Sequence, residues 1–245
     1  PRSTLFPYTT LFRSDASHLA FINQSLTELS RELSHRGAAL VTRAGEATEV
    51  LDQLQREFAF DTIWSHQETG NRITYDRDRR VAAWARKRGV VWNQLPNHGV
   101  FRCLDSRDGW ARRWETLMTQ PVLSPPARIA AAAGGRSAGV CDATALGLAA
   151  SERVEAVSGG EAVARTTLES FLQQRGVNYR ADMSSPVQGW NGCSRLSPYL
   201  AWGNLSIRQV VQATRRRSAE LKELRARGEE TDRRWLPSLN SFSQR

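Results

Sequence analysis

Apolar positions follow two different rhythms on either side of a proline- and alanine-rich stretch. Before it, helical and strand patterns alternate. Leu19, Ile22, Leu26, Leu29 and Leu33 recur at three- and four-residue spacing, and Gly37 follows where a C-terminal cap belongs. Residues 38–42 (AALVT) read as a short buried strand, and 46–58 as a helix with Val50, Leu51, Leu54 and Phe58 on one face. Residues 60–65 (FDTIWS) predict a second strand, and 75–88 a helix carrying Val81, Trp84 and Ala85. Gly89 closes that helix before a third strand over 90–95. Such alternation with short connections predicts an α/β fold, a parallel sheet covered by helices on both faces. From 118 to 158, Pro121, Pro125, Pro126, an alanine run and Gly134-Gly135 predict a linker. From Gly160 onward every periodic segment is helical, beginning with the stripe Ala164, Leu168, Phe171 and Leu172, which Gly176 ends. The expected organisation is a partial α/β domain over 15–117, a linker over 118–158, and the start of an all-helical domain over 159–245.

Residues 1–14 stand outside this pattern. They contain two near-repeats, TLFPY and TLFRS, and lack the charged start, apolar stretch and cleavage pattern of a signal peptide. The segment resembles the translation of a short-read sequencing adapter, an artefact with no place in the fold. The expectation is therefore a gene fragment whose opening strands lie upstream.

Composition narrows the function classes. The chain has 245 residues, 40% of them apolar and 24% charged, inside the globular range. No apolar run approaches the roughly 20 residues that span a bilayer. Cys103, Cys141 and Cys193 are widely spaced with no CxxC pair, which excludes a disulfide scaffold and a cysteine metal site and points to the cytoplasm. His66 and Glu68 have no second ligand pair, so no metal is expected. Thirty-four Lys and Arg against 25 Asp and Glu give a net charge of +9, and 32 of the 34 are Arg. Arginine suits bidentate phosphate contacts, but GC-rich codons give the same bias, so charge alone identifies no partner.

The chemistry is concentrated in CSRLSPYLAWGNLSIRQV, residues 193–210. Ser197-Pro198 is a helix start, with Ser as N-cap and Pro at the first position. Gly203 ends that short helix, and Ser206 with Gln209 forms a capping box for the next. The hydroxyl of Ser194, the guanidinium of Arg195 and free amides near Ser197 would converge on one helix N-terminus, a phosphate site. The alternative is that Ser194 and Ser197 merely cap a structural helix. Gly134-Gly135-Arg136-Ser137-Ala138-Gly139 follows no strand and is no dinucleotide fingerprint.

This segment resembles the flavin-phosphate motif of the DNA photolyase/cryptochrome family, written TSxLSPYLxFGxLSxRxV. It departs at Cys193, where Thr or Ser is common, and at Trp202, where Phe is. Residues 15–51 resemble the early helix and strand of that family's antenna domain, and 65–102 its later strand, loop and helix. SRDGWARRWE (106–115) resembles the linker entry, and residues 159–186 the first flavin-domain helix. The resemblance implies FAD as cofactor, held by Ser194, Arg195, Leu196 and Ser197, with Tyr179 near the flavin phosphates. It implies a second antenna chromophore, of folate or deazaflavin type. Glu68 and Asn71, at a strand's C-terminal end, are its candidate contacts, the alternative being a satisfied polar loop. It implies a monomeric lyase that uses blue light and reduced flavin to split cyclobutane pyrimidine dimers in UV-damaged DNA. Its catalytic residues would lie beyond the fragment, which would itself be inactive. A cryptochrome-type photoreceptor without repair activity is the alternative. A stand-alone nucleotide-binding module is disfavoured, since it needs no helical flavin domain. Trp84, Trp92, Trp110 and Trp114 read as core packing rather than electron carriers.

Overall fold

A computed structural model describes residues 15–97, 99–130, 135, 137–151 and 156–244. Residues 1–14, read above as a translated adapter, lie outside the described residues, as do the alanine run 131–133 and Gly134 of the expected linker. The chain forms two compact units, one of residues 1–45 and 126–163, the other of 46–125 and 164–245.

In the first unit, α1 (Ala16–His35) is opened by Asp15, whose Oδ1 accepts from Ser17 N at 2.9 Å and His18 N at 3.3 Å. Leu19 and Phe21 are its buried residues. Gln24 accepts from Gly159 N at 2.7 Å, and Glu28 accepts from Ala162 N at 3.0 Å. The strand expected over 38–42 does not form. Its backbone groups go elsewhere: Ala38 N donates to Leu33 O, Ala138 N to Thr42 O, and Thr42 N to Ser137 Oγ. With these groups engaged by Leu33 and by residues 137 and 138, no ladder forms.

The second unit opens with an α/β part. It comprises α2 (Ala47–Phe58), β1 (Thr62–His66), α3 (Arg72–Arg88) and β2 (Val91–Leu95). β1 and β2 are parallel, in register from Thr62↔Val91 to His66↔Leu95, and α3 is the crossover. Gly89, at φ 68°, takes the left-handed cap that stops α3 two residues before β2. Trp84, Ala85 and Val90 form the buried centre, packed by Leu51, Phe60, Ile63 and Trp92. The Trp84 indole N–H donates to Asp52 at 2.6 Å, and Arg88 binds the same carboxylate through Nε at 2.9 Å and Nη2 at 2.7 Å. One side chain thereby joins α2 to α3 and gives a buried indole its partner.

Only helices follow in this unit: α4 (Trp110–Thr119), α5 (Glu161–Gln173, begun in the first unit), a 3₁₀ turn (Arg175–Asn178), α6 (Tyr179–Asp182), α7 (Gly189–Gly192), α8 (Ser197–Ala201), α9 (Ile207–Ala226) and α10 (Trp235–Ser243). Leu168, Phe171, Tyr199, Val210, Leu221 and Leu239 lie in their shared interior. α9 holds α4 by its carbonyl end: Arg208 Nε donates to Leu117 O at 2.9 Å, and Gln212 Nε2 to Met118 O at 2.9 Å and Gln120 O at 2.8 Å. These bonds satisfy helix-terminal acceptors that have no partner within α4. Arg215 adds a two-pronged pair with Glu115 at 2.8 and 2.7 Å.

Asp78, on α3, is the buried acid of the α/β part. It accepts from Arg77 Nη2 and Arg102 Nη2, both at 2.9 Å, and Arg102 also donates through Nε to Glu68 O at 2.6 Å. The loops after β1 and β2 are thereby tied to α3. Burial opposes the charge of Asp78, but the bonds from Arg102 and Arg77 outweigh it and hold the carboxyl below its ordinary value. Because the folded pKa is lowered, this stabilisation is complete above pH ~4 and disappears as pH falls through the folded value. Asp78→Ala should cost about 2 kcal/mol at pH 7, measured by urea unfolding, and the gap from wild type should close in strong acid. A pH-independent gap would show that the charge pairs contribute nothing.

Candidate functional site

Residues 193–196 form the loop between α7 and α8, and its shape is set from both ends. Gly192 is buried and could not carry a side chain, because a Cβ would meet the Asp182 side chain. Cys193 N donates back to Gly189 O at 3.0 Å. Arg175 grips the carbonyls: Nη1 donates to Cys193 O at 2.6 Å and Asn191 O at 3.1 Å, and Nη2 to Ser194 O at 3.4 Å and Thr167 O at 3.1 Å. Its Nε donates to Ser170 Oγ at 2.9 Å.

Arg195 then takes φ 59°, a left-handed conformation that costs a side-chain-bearing residue about 1 kcal/mol or more. Leu196 follows at φ −88°, ψ −11°, on the right-handed side. A left-handed residue followed by a right-handed one turns successive N–H groups into one concavity, a geometry that receives anions. The N–H groups of Ser194, Arg195 and Leu196 have no acceptor among the described residues. The Arg195 guanidinium lies over the Trp190 ring at 5.2 Å, and its Nε is buried without a partner among the described residues. Such an orphan is costly unless a ligand supplies the acceptor. Burial, with Arg195 beside it, lowers the pKa of Arg175, so two cations share this loop.

Ser194, Leu196 and Ser197 line one cavity of about 490 Å³ with Trp110, Trp114 and Phe242. The expectation that Ser197 is an N-cap is corrected. The helix begins one residue earlier, with Leu196 at the cap position and no side-chain cap bond, because Leu196 already has near-helical backbone angles. The Ser197 hydroxyl is exposed and left at the cavity. The Ser206–Gln209 box forms as expected, at 3.1 and 2.8 Å. Tyr179 is buried rather than on the cavity wall. Its ring meets Phe171 and Phe242 edge-on, both at 5.5 Å, and Phe242 is the cavity residue.

Glu68 and Asn71 come together on a second hollow of about 470 Å³, with Tyr75, Arg79 and Arg102. Their side chains serve local structure. Glu68 accepts from Gly70 N at 2.6 Å, and Asn71 caps α3 by accepting from Ile73 N at 2.9 Å and Thr74 N at 3.2 Å. Of the tryptophans read as core, Trp84 is buried, but Trp110 is 40% exposed and stands 6.2 Å from the Trp114 ring. Arg175 and the Trp110/Trp114 wall escaped sequence reasoning. For the tryptophans the four-residue spacing was the available signal; for Arg175 there was none. Among the described residues no group of three His, Cys, Asp or Glu side chains could hold a metal ion, and no helix is long and apolar enough to cross a membrane.

Comparison with known proteins places these features in context. A family model described as DNA photolyase matches residues 4–112, a span that includes most of the segment read as adapter. Cryptochrome DASH of Idiomarina loihiensis is 25% identical over an alignment of 213 positions that covers 83% of this chain and 46% of that protein. A deoxyribodipyrimidine photo-lyase of Halobacterium salinarum is 26% identical over an alignment of 212 positions that covers 80% of this chain and 43% of that protein. The chain thus spans about half the length of the curated relatives it matches. Among solved structures, a bacterial class III photolyase from Agrobacterium tumefaciens superposes with a TM-score of 0.66 at 19% identity, over 94% of this chain and 49% of that one. That likeness concerns the fold.

The backbone at Arg195 yields a direct check. Arg195→Gly removes the cost of the positive φ, whereas Arg195→Ala retains it, so the glycine variant should be the more stable by about 1 kcal/mol in urea unfolding. Equal stabilities, or a more stable alanine variant, would show that the residue is not left-handed.

Proposed function

We propose, from the likeness of this chain to the DNA photolyase/cryptochrome family, that it is part of a blue-light-driven, FAD-dependent photolyase acting on pyrimidine dimers in UV-damaged DNA. The observation that carries this assignment is the loop of Ser194, Arg195 and Leu196, where a buried guanidinium nitrogen and three N–H groups have no acceptor among the described residues. Those groups suit the diphosphate of FAD, whose charge they would offset and to whose oxygens they would donate hydrogen bonds. Ser194 and Ser197 hydroxyls at the cavity add further donors, Leu196 anchors the loop in the core, and Tyr179 holds the aromatic cluster behind it.

When bound, reduced FAD would supply the light-excited electron that the dimer takes up and returns once its cyclobutane bonds have opened. In the same assignment residues 15–117 correspond to the family's antenna domain and 159–245 to the start of its flavin domain. Glu68 and Asn71 face the hollow for a second, folate- or deazaflavin-type chromophore, with their local bonds fixing its rim. The net charge of +9 suits a DNA backbone, with affinity that falls as salt rises.

If this loop holds the diphosphate, FAD should bind saturably by fluorescence titration, ADP should compete and riboflavin should not. A hydrogen bond to a charged group contributes about 1.5–3 kcal/mol, so Arg195→Ala should weaken FAD at least about tenfold. Absence of saturable binding, or an unchanged affinity in that variant, would contradict the assignment. A full-length gene product with this loop should restore UV-irradiated DNA under blue light. FAD binding with dimers left intact would move the assignment to a cryptochrome photoreceptor, the name that several relatives carry.

A further inference from the structure

We propose that Arg175 is the positioning residue of the anion loop. By holding the carbonyls of Cys193 and Ser194 from one side, it turns the N–H groups of Ser194 and Arg195 toward the other, where a diphosphate is taken up. The identity of the anion rests on the assignment above; the shaping of the loop does not.

A planar trans peptide points its C=O and N–H in opposite directions. Fixing Cys193 O therefore fixes the direction of Ser194 N–H, and fixing Ser194 O fixes that of Arg195 N–H. Both carbonyls are bonded to Arg175, at 2.6 and 3.4 Å. The two N–H groups thus oriented are among those without an acceptor. The next residue in line, Arg195, carries the positive φ, which persists only where the surroundings over-determine it. Arg175 is the group that holds two carbonyls of the loop and one of α7 at once.

The guanidinium is also fully committed. It has five N–H donors. Its bonds are one from Nε to Ser170, two from Nη1 to Cys193 and Asn191, and two from Nη2 to Ser194 and Thr167. No donor is left for a ligand, so Arg175 acts through the loop. Every partner is neutral, and no carboxylate compensates the charge among the described residues. Arg175 therefore adds to the cationic field of Arg195 without occupying the site. A lysine would keep the charge but could not span Ser170, Thr167 and the carbonyls of Asn191, Cys193 and Ser194 from a single ammonium.

The test combines amide NMR of the ligand-free chain with calorimetric titration of ADP and of inorganic pyrophosphate. In both Arg175→Ala and Arg175→Lys, the Ser194, Arg195 and Leu196 amide signals should move while those of α9 stay in place. Affinity for both anions should fall about tenfold. Added guanidinium ion should restore affinity to Arg175→Ala. Wild-type behaviour of Arg175→Lys would show that charge alone matters and overturn the proposal, as would unmoved loop signals in Arg175→Ala. Should Arg175→Ala not fold, Ser170→Ala removes one partner of the fork. It should move the same signals and weaken binding two- to threefold, and no movement would overturn the proposal. If the wild-type chain binds neither anion, the FAD assignment fails, and the ligand-free signals alone decide whether Arg175 shapes the loop.

Discussion

The contact on which the site depends is the set of bonds from Arg175 to the carbonyls of Asn191, Cys193 and Ser194. A loop of four residues between two very short helices has little internal means of keeping one conformation, since α7 has four residues and α8 five. Helices that short contribute little cooperative stability of their own. The order must come from outside the loop, and a forked, permanently charged side chain anchored on α5 through Ser170 and Thr167 supplies it. Gly192 and the buried Leu196 then fix the two ends.

The same economy of means recurs around the loop. α9 does more than fill the core: Arg208 and Gln212 close the carbonyl end of α4, and Arg215 pairs with Glu115 while lying 6.0 Å over Trp114. The tryptophan side of the cavity is thereby fixed to the helix that follows the motif. Many of the arginines that make the chain basic are already paired in this way, among them Arg77, Arg80, Arg88 and Arg102. The net charge of +9 already counts those carboxylates and does not say where the excess lies, so the cationic loop at Arg175 and Arg195 is the more specific signal.

Sequence patterning foretold much of this, and its failures have physical causes. The α2–β1–α3–β2 run was legible because its apolar residues keep period and Gly89 marks the end of α3, whereas the cap by Asn71, which starts α3 at Arg72 rather than at 75, needed coordinates. The segment 38–42 has the composition of a buried strand, yet its polar groups find partners in Leu33, Ser137 and Ala138, a non-local choice that periodicity does not encode. Ser197 was assigned to the cap from residue type alone; the backbone of Leu196 moved the helix start by one position. The motif drew attention to Ser194, Arg195, Leu196 and Ser197, but the residue that shapes their loop lies eighteen or more positions upstream. An arginine after a helix carries no mark in sequence of which carbonyls it will hold. Glu68 and Asn71 were legible as neighbours, while their engagement with Gly70 and with the first turn of α3 needed coordinates.

The most direct measurement is a crystal structure of the chain with FAD bound. The diphosphate should lie against the 193–197 loop, with phosphate oxygens within about 3 Å of the Arg195 and Leu196 amide nitrogens and of Arg195 Nε. A flavin nucleotide seated elsewhere, with those three nitrogens still without an acceptor, would contradict the account.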